Sequence, residues 1–131
     1  MKEKSLGSLR AAQLLIETHE TYGYDASIHC SYYSVLQYMK FVLSSTERSP
    51  IEYGKQNSHG ESSHEYIIKA IRDRIENRYQ ARLLVDDIYD LKNQRRVADY
   101  TIMSFTEENA AECKAKAENI IIKLKQQFGN L

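Results

Sequence analysis

Apolar residues recur along this chain at steps of three and four, the spacing that gathers them on one face of an α-helix. From about Lys2 to His19, the positions Leu6, Leu9, Ala12, Leu15/Ile16 and His19 form one such stripe and predict a first helix. Thr21-Tyr22-Gly23-Tyr24 interrupts it, and Gly23 is suited to the positive φ of a helix end. A second helix is predicted from Asp25, whose short carboxylate can accept from a free first-turn N–H, to about Ser44. Its stripe of Ile28, Tyr32, Val35, Met39 and Val42 is widened by Tyr33, Leu36 and Leu43. So wide an apolar arc predicts the central helix of a bundle.

Residues 45 to 61 hold the only proline, Pro50, together with Gly54, Gly60 and several serines, which predicts a long loop. A third helix is predicted from Ser62, where Ser62 and Glu65 have the spacing of a capping box. Its stripe is His64, Ile67/Ile68, Ile71 and Ile75. A break near Asn77-Arg78 or a kinked continuous helix leads to a fourth segment, roughly Gln80 to Asp99. That segment carries Leu84, Ile88, Leu91, Arg95 and Ala98, with Ile102 beyond. A fifth helix starts after Thr106, an N-cap followed by Glu107 and Glu108, and ends at Gly129. Its stripe is Ala110, Cys113, Ala117, Ile120/Ile121, Leu124 and Phe128. Four or five amphipathic helices with no convincing strand predict one all-α domain over 1–131. The expected architecture is an up-and-down antiparallel four-helix bundle with an extra short or kinked helix.

Composition narrows the function classes. Eighteen Lys+Arg balance eighteen Asp+Glu, which argues against a protein that coats nucleic acid through surplus positive charge. With 42% hydrophobic residues in 131, the chain can bury a core and does not read as disordered. Cys30 and Cys113 sit in helix-like segments without metal spacing, so two free thiols in a reducing cytoplasm are expected. No leader-like apolar stretch and no membrane-length run is present, and a cytoplasmic protein is expected.

Arg95 is the most informative position. It falls on the apolar stripe of the fourth segment, where a guanidinium that cannot lose its proton needs an anion or a ring of acceptors. The bland alternative is a helix-edge Arg whose stem packs while its head reaches water. The functional alternative is an Arg poised to bind a phosphate bidentately. Asp99, four residues on, reads as a helical ion-pair partner. Tyr100 lies about 140° from Arg95 around an ideal helix, so the two meet only if the helix ends or distorts there, or a second subunit completes the cleft. Tyr32 and Tyr33 read first as core residues, with base stacking as the functional alternative. His29 beside Cys30 is weak as a nucleophile pair, because adjacent helical residues diverge by about 100°. His59 and His64 lack two further ligands for a metal, and no metal or cofactor is expected. Arg72 to Arg96 carries seven basic and five acidic residues, a mixture that reads as a solvated helix face.

Three segments together resemble the HEPN superfamily (higher eukaryotes and prokaryotes nucleotide-binding), in its small prokaryotic stand-alone branch. They are Gly23-Tyr24-Asp25-Ala26 running into Ser31-Tyr32-Tyr33-Ser34-Val35-Leu36; Ser62-Ser63-His64-Glu65; and Leu91 to Tyr100, which ends Ala98-Asp99-Tyr100. The resemblance spans nearly the whole chain. It implies a four-helix bundle that dimerises and binds RNA or a nucleotide, or pairs with a minimal nucleotidyltransferase partner, in some cases as a toxin–antitoxin pair. It also implies a metal-independent endoribonuclease carrying an R-x4-H motif. Arg95 matches the Arg of that motif, and Tyr100 stands in the His position. A phenol is a poor base at neutral pH, which favours a binding cleft over a nuclease. On this resemblance Arg95 and Tyr100 are the catalytic candidates. Arg95, Arg96, Asp99, Tyr100, Tyr33 and His64 are the ligand-binding candidates. A non-catalytic scaffold is the remaining class.

Overall fold

In a computed structural model describing residues 1–57 and 63–129, the broad apolar stripe becomes the axis of the molecule. Six helices form among the described residues: α1 (Lys2–Ile16), α2 (Thr21–Ser45), the one-turn α3 (Tyr53–Gln56), α4 (Ser63–Asp73), α5 (Arg78–Tyr100) and α6 (Glu107–Phe128). No strand occurs among them, and the chain is an all-α bundle. The central helix α2 packs on α1, α4, α5 and α6, and it touches α3. Ile28, Tyr32, Val35, Leu36, Met39 and Leu43 are fully buried along it, facing Ile67, Ile71, Ile88, Leu91 and Ile120 from the others. Among the described residues no helix is long and apolar enough to cross a membrane.

The α1–α2 and α5–α6 pairs run antiparallel, as their paired residues show. Along the α1–α2 seam, Ser5 Oγ donates to the Ser34 carbonyl at 2.7 Å and Ser27 Oγ donates to the Ala12 carbonyl at 2.8 Å. Small buried serines thus let these two backbones approach closely. Between α5 and α6, Lys116 bonds Asp90, Lys123 bonds Asp87, and Gln127 bonds Gln80.

The start of α2 departs from expectation. The helix begins at Thr21, and Gly23 lies inside it without positive φ. The turn is made instead by His19, at φ 55°. Gly23 is needed for space: a Cβ there would stand 2.1 Å from Thr18 Oγ1 and 2.5 Å from the Leu15 carbonyl oxygen. Asp25 is therefore not an N-cap. Its carboxylate accepts from the Phe105 backbone N–H at 3.1 Å, tying α2 to the segment before α6. Of the first stripe, Leu6 is half exposed and His19 lies outside α1, while Ser5 is buried.

The loop after α2 is shorter than expected, because α3 interrupts it. Gln56 is buried there and donates through Nε2 to the carbonyls of Lys40 and Ile51. Ser62, and with it the expected capping box, lies outside the described residues, as does His59. Between α4 and α5 the helix breaks, and Asn77 caps α5 by accepting from the Gln80 N–H. Thr106 caps α6 in a reciprocal capping box with Asn109, and Gly129 ends it at φ 83°.

Candidate functional site

The periodicity that packs α5 also buries its charge. Leu84, Ile88, Leu91 and Arg95 share one face of the helix, and Arg95 is only 6% exposed. The solvated-edge alternative for Arg95 is therefore excluded. Its guanidinium carbon lies 5.0 Å from the centre of the Tyr32 ring and 5.9 Å from that of Tyr33, both from α2. Tyr100 is the last residue of α5, and the chain turns extended at Thr101. The helix end lets the Tyr100 ring come within 5.7 Å of the same guanidinium, so one chain brings the two together.

The polar partners of Arg95 are few. Among the described residues its only hydrogen bond is from Nη1 to Asp99 Oδ2, a long 3.5 Å. Its Nε is buried without a partner. Asp99 has a closer partner in His29 of α2, whose Nδ1 donates to the same Oδ2 at 2.7 Å. The carboxylate can only accept, so Nδ1 carries the proton and Nε2 of a neutral His29 remains the basic nitrogen. His29 also stacks on Tyr33, with ring centres 4.5 Å apart.

His64 enters from the first turn of α4. Its Nδ1 shares a 3.1 Å hydrogen bond with the Tyr32 hydroxyl, and its ring stands edge-on to Tyr33. Burial, with Arg95, Lys92 and Lys40 nearby, holds its pKa below the ordinary histidine value; Glu65 opposes them. The Tyr32 phenol is pushed up by burial, which outweighs the pull of Arg95. Glu65 accepts hydrogen bonds from Lys92 and Tyr89. Burial alone would raise the Glu65 pKa, but these bonds outweigh it and hold the carboxyl low. The Tyr89 hydroxyl is raised to about 12 by burial and by that same carboxylate. Glu65 thus neutralises Lys92, and Arg95 remains the under-satisfied cation of the group.

Tyr33, His64, Glu65, Lys92, Arg95, Arg96 and Tyr100 line one open cleft of about 720 Å³. Five of the six ligand-binding candidates lie on its wall, and Asp99 bonds Arg95 from beside it. Sequence reasoning weighed His29 only as a partner of Cys30 and passed over Glu65, Lys92 and Tyr89 as site residues. Two signals were available: His29 lies one helical turn before Tyr33, and Lys92 lies three residues before Arg95, so each shares a face with a candidate. The Cys30 thiol is pushed up by burial and by Asp99, which works against a thiolate nucleophile beside His29. Among the described residues no group of three or more His, Cys, Asp or Glu is arranged to hold a metal ion. No family model, curated protein or solved structure matches this chain.

Proposed function

We propose that the chain is a helical module of HEPN type that binds a phosphate-bearing ligand, RNA or a nucleotide, in the cleft between α2, α4 and α5. The observation that carries this reading is the buried Arg95, with an unpartnered Nε and one long contact to Asp99. A phosphate offers the anionic oxygens that such a fork lacks. Tyr33 and Tyr100 add aromatic faces on which a base can stack. A homodimer or a nucleotidyltransferase partner, as in a toxin–antitoxin pair, is the assembly that the family resemblance implies. Tyr100 on the cleft wall, and Ile102 and Met103 just after α5, are exposed and offer apolar surface for one. Titration of a labelled single-stranded RNA and of a nucleotide into wild type and Arg95→Ala tests the reading.

One observation favours a second reading, a metal-independent endoribonuclease. Asp99 accepts from His29 and also bonds Arg95, and on this reading an imidazole from α2 would serve in place of the histidine that Tyr100 replaces. His29 Nε2 would take the proton of a ribose 2′-hydroxyl while Arg95 stabilises charge on the phosphate. Labelled RNA incubated with the protein in EDTA decides it. Cleavage lost in both His29→Ala and Arg95→Ala supports the nuclease, and cleavage that persists in Arg95→Ala is a contaminant.

A further inference from the structure

His64 and Arg95 reach the cleft from different helices and meet the same two rings. Arg95 of α5 stands over Tyr32 and Tyr33 of α2. The His64 ring of α4 lies 5.8 Å from the Tyr32 ring and 6.0 Å from the Tyr33 ring, centre to centre. The titratable and charged groups that bear on this imidazole are Tyr32, Tyr33 and Lys40 of α2, Lys92 and Arg95 of α5, and Glu65 beside it on α4.

The proton position on His64 follows from its partner. Tyr32 is fully buried, and burial keeps its phenol protonated. Among the described residues its only hydrogen-bond partner is His64 Nδ1, at 3.1 Å. The hydroxyl therefore donates, Nδ1 accepts, and a neutral His64 carries its proton on Nε2. Nε2 lies on the opposite edge of a half-buried ring that lines the cleft. It has no partner among the described residues, and it is not one of the buried polar atoms that lack one. It is an N–H donor open to the cleft.

The charges around it set the kind of anion. Glu65 neutralises Lys92, and Asp99 bonds Arg95. Arg95 and Arg96 against Asp99 then leave a single positive charge, which matches an internal phosphodiester. A terminal phosphate monoester has a second pKa of about 6 and carries close to two negative charges at neutral pH. Its second charge is matched when His64, held neutral in the free protein by burial and the nearby cations, takes up a proton. A cleft of about 720 Å³ also suits one small ligand, within the roughly 300–1,000 Å³ of such sites. A long nucleic-acid strand needs a positive groove along its backbone, whereas Arg72 to Arg96 mixes acids with bases.

Resting on the phosphate-binding reading above, we propose that the cleft selects a terminal phosphate monoester, on a free nucleotide or on an RNA end. His64 is the residue that selects it, donating from Nε2 to a phosphate oxygen beside Arg95. The probes are AMP against adenosine, and one labelled single-stranded RNA made with a 5′-phosphate and with a 5′-hydroxyl, each titrated into the full chain. The first pair reports a free nucleotide and the second a chain end. In at least one pair the phosphorylated probe should bind about tenfold or more tightly than its counterpart. His64→Ala should erase most of that difference, and His64→Gln, which keeps an N–H donor without the charge, should restore part of it. In the wild type, NMR of the His64 ring should show its pKa rising with the phosphorylated probe and unmoved by the other. RNA bound equally with either end, together with no preference for AMP over adenosine, would overturn the proposal and leave phosphate binding standing. No binding of any probe would overturn both. A preference that survives His64→Ala undiminished, or a His64 pKa that the phosphorylated probe does not raise, would also overturn the proposal.

Discussion

His29 and Asp99, seventy positions apart in sequence, meet at 2.7 Å and join the third turn of α2 to the end of α5. The same carboxylate oxygen reaches Arg95 at 3.5 Å, so Asp99 is shared between an imidazole and a guanidinium.

This pair should be measurable by a double-mutant cycle. His29 is 44% exposed and Asp99 20%, so water screens the interaction. A coupling of about 0.5–1 kcal/mol between His29→Ala and Asp99→Asn is expected in urea unfolding. Strictly additive single effects would show that the contact does not form in solution.

His64 should make stability fall on acidification. Burial and the nearby cations hold its folded-state pKa below the ordinary histidine value. The unfolded chain therefore takes up this proton first as pH drops. The stabilisation is complete above the unfolded pKa of about 6.5 and is lost as pH falls from there through the lower folded-state pKa. His64→Gln should flatten the decline of the urea midpoint across that window, and an unchanged slope would contradict the assignment.

Gly23 should tolerate no side chain. Gly23→Ala places a methyl against the Leu15 carbonyl, a backbone atom that cannot swing aside. A loss of about 1–3 kcal/mol in unfolding free energy is expected, as for other overpacked sites. A neutral substitution would mean that the α1–α2 turn is looser than described.

Legibility in the sequence followed the range of the interaction. The stripes of α2 and α6, the Thr106 cap and the Gly129 terminus are set by neighbours within a turn or two, and the structure carries them as expected. Arg95 could be placed because burial repeats with the helix period. The start of α2 was misplaced because Gly23 answers to the tertiary closeness of Thr18 and Leu15, which local pattern does not encode. Asp25 looks like a cap locally, yet its partner is the Phe105 N–H, eighty residues away. His29 escaped for the same reason, since its meaning comes from α5 and not from Cys30 beside it.

The central claim is that one buried arginine, and not overall charge, is what meets a phosphate. Fluorescence anisotropy of a labelled single-stranded RNA, with nucleotide as competitor, compares wild type, Arg95→Ala, Arg95→Lys and Arg96→Ala after each is shown by circular dichroism to be folded. Arg95→Ala should weaken binding by about tenfold or more, with Arg95→Lys only partly restoring it and Arg96→Ala costing far less. Equal losses at Arg95 and Arg96, or no binding by the wild type of either ligand, would contradict the account.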